Sequence, residues 1–115
     1  MSDPRGDVSV IIDGTEHTMR LTFAAALKIE KRIGCGLLKL ANRMAQMEVT
    51  TEEVATVIHA GVTAAGGKLT FDQVGEAVMA AGLIDMAKPA TELVLAALMA
   101  GKRPPEGDAE KKAAE

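Results

Sequence analysis

Hydrophobic and polar positions alternate at the start of the chain, which is the pattern of a β-strand with one buried face. Val8, Val10 and Ile12 occupy alternate positions, and Asp13-Gly14 then gives a strong signal for a two-residue type I′ turn. We therefore expect a β-hairpin over residues 8–21, whose apolar face needs cover from other elements. In the register that this turn sets, Val8 pairs with Met19 and Val10 pairs with His17.

Apolar residues change to a helical spacing after the hairpin. Thr22 is a suitable N-cap for a first helix. Two capping boxes mark further helix starts, one formed by Thr50 and Glu53 and the other by Thr70 and Gln73. Together with the glycines that follow the apolar stripes, these signals predict helices at about residues 23–33, 37–47, 51–65, 71–81 and 89–100, the last with Pro89 in its first turn.

These elements predict a single domain of the α+β class that is mainly α. Its architecture is an N-terminal β-hairpin packed on a bundle of four or five short helices, over residues 8–101. We expect residues 1–7 to form a flexible start. The polar segment 102–115 is interrupted by prolines and is predicted to be a disordered tail.

Aromatic residues are almost absent, because the chain contains Phe23 and Phe71 but no Trp or Tyr. The core must therefore be built from smaller side chains, each of which buries less area. The formal net charge is −3, with cations and anions mixed along the chain, which argues against nonspecific nucleic-acid binding. Few aromatic side chains are available to stack on bases.

The composition also indicates a compartment. The N-terminus lacks the apolar stretch of a signal peptide, and no apolar run is long enough to span a bilayer. Cys35 is the single cysteine, so an internal disulfide is excluded and a reducing compartment is favoured. We expect a cytoplasmic protein without membrane contact.

No combination of residues predicts a catalytic, cofactor-binding or metal site. Cys35 lies between two glycines, and neither His17 nor His59 has the sequence context of a catalytic dyad or a metal site. Residues 64–70 faintly resemble a phosphate-binding loop. They lack a lysine at the required position and follow a predicted helix instead of a strand, so we interpret them as a helix end with a turn.

Cations cluster on the first two predicted helices, with Glu30 as the one acid among them. This cluster is either an ordinary solvated face or a docking surface for an acidic partner. In an alternative function, a small nucleic-acid-binding regulator, it would contact phosphates. The cluster consists of Lys28, Lys31, Arg32, Lys39 and Arg43.

The order of the elements carries a resemblance to a known family. A hairpin with a DG turn leads into LTFAAALKIEKRIGCGLLKLANRM, in which a Leu-Thr pair precedes a helix with an Ile29-Glu30 pair, Gly34 and Leu37. TTEEVATVIHAGVTAAGG and LTFDQVGEAV follow, and then a final helix rich in alanine and leucine. From residue 8 to about residue 101 the chain resembles the phage tail assembly chaperone family, in the branch found in gene transfer agents and related prophages.

The resemblance implies a non-enzymatic function. Chaperones of this family bind the tape measure protein, recruit tail tube subunits and leave before the tail is mature. The implied partners are therefore the tape measure and tail tube proteins, bound by a monomer or a homo-oligomer in the cytoplasm of a bacterial host. The family has no catalytic residues to carry over to this sequence, and we expect the mature particle to lack the protein.

Methionines would suit such a binding surface, because their flexible side chains adapt to irregular apolar partners. The same residues could instead fill a core that is poor in aromatic side chains. We consider Met44 the better candidate for the core. The candidates for partner contact are Met47, Met79, Met86 and Met99.

Overall fold

A computed structural model of the chain describes residues 7–99. The predicted flexible start, apart from Asp7, and the predicted tail at 102–115 lie outside the described residues. The described part forms an N-terminal hairpin followed by five helices, which confirms the predicted α+β, mainly α class. The elements are β1 (Val8–Ile12), β2 (Thr15–Met19), α1 (Phe23–Ile33), α2 (Leu37–Ala45), α3 (Thr51–Ala64), α4 (Phe71–Ala81) and α5 (Leu83–Leu98).

The hairpin has the predicted turn and register. Asp13 and Gly14 both adopt positive φ, at 56° and 80°, as a type I′ turn requires. Val8 pairs with Met19 and Val10 pairs with His17. The apolar face of the hairpin is buried against the helices, so the hairpin is stabilised by packing as well as by its own hydrogen bonds.

An ion pair extends the hairpin by one residue pair beyond Val8 and Met19. The Arg20 guanidinium donates to both carboxylate oxygens of Asp7, with Nε to Oδ1 at 3.0 Å and Nη2 to Oδ2 at 2.8 Å. Asp7 is only 7% exposed. The carboxylate of Asp7, the last residue of the predicted flexible start, is thus buried against a bidentate partner.

The predicted helix starts are confirmed where a local cap specifies them. Thr22 accepts a hydrogen bond from the Ala25 N–H at 3.1 Å at the start of α1. In both predicted capping boxes the threonine side chain and the acceptor side chain three residues later satisfy each other's backbone N–H groups. Gly34 ends α1 in the left-handed conformation, as expected for a helix C-terminus.

The last helix begins at Leu83, and the predicted start at Pro89 was wrong. Gly82 ends α4 and directly precedes α5, with a hydrogen bond from the Met86 N–H to its carbonyl oxygen at 3.0 Å. Leu83 and Met86 continue the buried stripe of the helix on the N-terminal side of Pro89. Packing of that stripe therefore outweighs the backbone hydrogen bond that proline lacks.

Helix α3 lies at the centre of the domain and is buried on most of its surface. It packs against α1, α4, α5 and β2. One close approach is at Gly61, where a Cβ atom would lie 2.6 Å from Leu93 Cδ2 and 2.9 Å from Met19 Cβ. The Gly61 carbonyl oxygen also accepts a hydrogen bond from the Arg20 N–H at 3.0 Å, which joins the end of the hairpin to this helix.

We predict opposite effects of alanine at two helical glycines. Gly61→Ala should lower the free energy of unfolding by about 1–3 kcal/mol, because the added methyl group overpacks the contact between α3 and the hairpin. Gly75 lies in α4, where an added methyl group would meet no other atom within 4 Å. Gly75→Ala should therefore raise the free energy of unfolding by about 0.5–1 kcal/mol through helix propensity. Urea unfolding followed by circular dichroism measures both, and a stabilised Gly61→Ala variant would contradict the packing argument.

Candidate partner-binding surface

Three of the five predicted cations lie beside one groove, which we call the basic groove. It runs between α1 and α3 to the start of α4, with a volume of about 410 Å³. Lys28, Lys31 and Arg32 line one side of it, and small residues such as Ala25 and Ala60 also line it. Helical spacing brings the three cations to one side of α1.

Arg32 is held by contacts within the protein. Its guanidinium lies 4.2 Å from the centre of the Phe71 ring, and its Nε donates to Glu52 Oε2 at 3.3 Å. His59 meets the same ring edge-on, with 5.9 Å between ring centres, and its Nε2 donates to the Leu69 carbonyl oxygen at 3.1 Å. Arg32 therefore joins α1 to α3 and α4, and Lys28 and Lys31 are the more available cations of the groove.

Arg43 also makes a contact within the protein, and it is not among the residues that line the basic groove. Its Nη2 donates to both carboxylate oxygens of Glu53, at 2.7 and 2.9 Å. Hydrogen bonding to Glu53 raises the pKa of Arg43 above its ordinary value. Because Glu53 is also the acceptor of the first capping box, this pair fixes the end of α2 to the start of α3. Lys39 is exposed on α2.

The four candidate methionines do not share one environment. Met47, Met79 and Met99 are exposed by 57%, 68% and 40%, and they lie at the end of α2, on α4 and after α5. Met86 is 5% exposed and belongs to the core, as does Met44. The surface role of Met86 does not fit this placement, because its helix begins earlier than predicted and turns the side chain inward.

Met47 combines exposure with an unfavourable backbone conformation. It has φ 59° directly after the C-cap of α2, in a position that is usually occupied by glycine. The Met47 and Glu48 N–H groups donate to the carbonyl oxygens of Met44 and Arg43, which is the Schellman pattern. The end of α3 has the same arrangement with Gly66 at the equivalent position, at φ 97°. A methionine costs stability in this position and stays 57% exposed, so it remains a candidate for partner contact.

Further exposed apolar side chains were not predicted as site residues. Phe23 is 80% exposed although it is one of two aromatic residues, and Leu27, one turn further along α1, is 49% exposed. Leu38 on α2 is 72% exposed. Helical spacing in the sequence could have predicted this exposure. It places Phe23 and Leu27 on a different side of α1 from Ala25 and Ile29, which are buried. We call Phe23, Leu27, Lys28 and Lys31 the α1 surface.

Among residues 7–99 no group of His, Cys, Asp and Glu side chains is arranged to hold a metal ion. Cys35 is half-buried, with its Sγ 4.0 Å from Arg43 Nη1. None of the helices in this range is long and apolar enough to cross a bilayer.

The chain is similar in sequence to a known protein family. A sequence model of the protein family described as phage tail tube protein, GTA-gp10, matches residues 5–100. No curated protein and no solved structure matches the chain. The family match covers the whole hairpin and all five helices, including the α1 surface.

We predict that Met47→Gly raises the free energy of unfolding by about 1 kcal/mol, because glycine adopts positive φ without strain. Gly66→Ala is the matched control at the end of α3 and should lower the free energy of unfolding by about the same amount. Urea unfolding of both variants measures the effect. Loss of stability in Met47→Gly would show that the methionine side chain supports the fold, and would remove the argument for its function.

Proposed function

The chain belongs to the family described as phage tail tube protein, GTA-gp10, and from this premise we propose that it is a non-enzymatic chaperone of tail assembly. Its clients are the tape measure and tail tube proteins, which it binds in the cytoplasm of the bacterial host and leaves before the particle is mature. The family match and the resemblance in sequence agree on a tail protein. They differ in the role, because the family description names a tube protein where the resemblance implies an assembly chaperone.

The observation that carries the proposal is the α1 surface. Phe23 and Leu27 expose apolar area that would be stabilised by burial against a partner. Aromatic residues dominate the binding energy of protein interfaces, and this chain exposes one of its two. Lys28 and Lys31 lie on the same helix, where they would accelerate association with an acidic partner. This arrangement suits protein binding better than catalysis.

The family description favours a second candidate, a structural subunit of the tail tube. Such a subunit must bind copies of itself through two different surfaces, since head-to-tail contacts build rings and filaments. The two candidates predict different fates for the protein. A chaperone leaves the assembled tail, whereas a tube subunit stays in it in many copies.

A nucleic-acid-binding regulator receives less support. Arg32 and Arg43 are already engaged by Glu52 and Glu53, so the cationic cluster is partly neutralised within the protein. A phosphate-binding surface requires cations that replace the counterions of the nucleic acid. With Lys28 and Lys31 left on the groove and a net charge of −3, that condition is poorly met.

We predict that the chain co-purifies with tape measure and tail tube proteins from cells that assemble tails, and is absent from purified mature particles. Quantitative mass spectrometry of both fractions measures this. A strain without the gene should lack complete tails. Recovery of the chain in mature particles at the same copy number as the tube protein would establish the structural subunit instead.

We also predict that Leu27→Ser and Phe23→Ser each weaken client binding, by about tenfold or more for Phe23→Ser, because apolar contact is lost. Leu95→Ser on α5 is the matched control, since Leu95 is 46% exposed and Leu27 is 49% exposed. All three variants should unfold within about 0.5 kcal/mol of the unaltered chain, because the changes are at the surface. Equal losses in Leu27→Ser and Leu95→Ser would exclude the α1 surface as the specific contact.

A further inference from the structure

The outer edge of strand β1 is open for hydrogen bonding. In a hairpin with a two-residue turn, the residues next to the turn form a hydrogen-bonded pair, and such pairs alternate along the strands. Val8, Val10 and Ile12 therefore direct their backbone groups toward β2, and Ser9 and Ile11 direct theirs away. Within residues 7–99, no backbone hydrogen bond of Ser9 or Ile11 closes this edge.

The two edges of the hairpin differ in what lies beside them. On the β2 side, the outward Arg20 N–H just beyond the strand donates to the Gly61 carbonyl oxygen of α3 at 3.0 Å. Natural proteins usually protect an open edge with lysine, proline or a bulge. The β1 sequence VSVII has neither lysine nor proline, and its five pairs with β2 run without a bulge. This edge is therefore a template for a further strand.

A groove of about 1080 Å³ lies along this edge. Four consecutive residues of β1, from Ser9 to Ile12, line it, whereas β2 contributes only the alternate residues Thr15 and His17. Because side chains of a strand alternate between its faces, a consecutive run indicates that the groove follows the edge of β1. Helices α4 and α5 form the opposite side.

The charged side chains that line the groove favour a basic occupant. Four carboxylates line it, against two basic side chains: His17, and Lys88, whose Nζ lies 3.8 Å from Asp85. A second copy of β1 would bring a second set of these carboxylates close to the first, and like charges oppose such pairing. An extended segment with lysine or arginine side chains matches the groove in both shape and charge. The carboxylates belong to Asp13, Glu76, Asp85 and Glu92.

We propose that an extended, basic segment of a client protein adds to the outer edge of β1 as a third strand and lies in this acidic groove. Main-chain hydrogen bonds to Ser9 and Ile11 supply affinity, and the carboxylates on α4 and α5 select basic side chains. Ile11, 57% exposed, packs beside the added strand. The inference rests on the proposed function for the identity of the client and names the surface that holds it.

The experiment uses the full chain and a set of overlapping peptides that cover the tape measure and tail tube proteins. A lysine- or arginine-rich peptide should bind, and the amide hydrogens of Ser9 and Ile11 should exchange more slowly in its complex. Ile11→Lys should weaken that peptide by about tenfold, because lysine blocks the edge and repels basic side chains. Thr18→Lys is the matched control, on the same exposed hairpin face but on β2, and should change binding by less than about twofold.

Three outcomes would overturn strand addition: no basic peptide binds, binding leaves the exchange of the Ser9 and Ile11 amides unchanged, or both lysine variants weaken binding equally. Co-purification of the intact client proteins is scored separately. If they co-purify while no peptide uses the β1 edge, the strand-addition proposal fails and the proposed function stands. If they do not co-purify, the proposed function fails as well.

Discussion

The fold depends on the close approach of the hairpin to helix α3 at Gly61. No other residue type leaves room there, because a Cβ atom would lie within 3 Å of both Leu93 and Met19. The same residue provides the carbonyl oxygen that binds the Arg20 N–H, and Arg20 in turn holds the Asp7 carboxylate. The contact thus ties the end of β2 to α3 and helps to bury the apolar face of the hairpin.

A central helix that is buried on most of its surface explains how the domain folds with two aromatic residues. Helix α3 packs against four other elements, and its three valines, its isoleucine, Ala55 and Ala60 are buried. Small side chains permit close packing, and many close contacts together replace the large buried area of aromatic rings. Phe71 contributes mainly at the border of the core, with Arg32 and His59, and Phe23 remains at the surface.

Local signals in the sequence were sufficient for most of the fold. The turn residues fixed the hairpin register, and the threonine caps fixed the starts of α1, α3 and α4, since each acts within a few residues. The start of α5 depends on packing against distant elements. The local signal of Pro89 therefore placed the start too late, whereas the helix begins at Leu83. For the candidate site, clustering of cations in the sequence did place Lys28, Lys31 and Arg32 along one groove. The engagement of Arg32 and Arg43 by Glu52 and Glu53 required contacts between helices that no local pattern specifies.

The hydrophobic core is complete within a single copy of the chain. This completeness is relevant to whether the protein is a chaperone or a tube subunit. Met19, Ile29 and Leu93 are fully buried without any partner, so binding does not have to complete the hydrophobic core. The exposed features include apolar side chains on α1, α2, α4 and α5, a methionine with positive φ after α2 and a strand edge beside acidic side chains. Such surfaces suit contacts that form and separate while the protein itself keeps its structure. A chaperone that must release its clients requires this independence, whereas a permanent subunit of a tube would benefit from burying those surfaces for good.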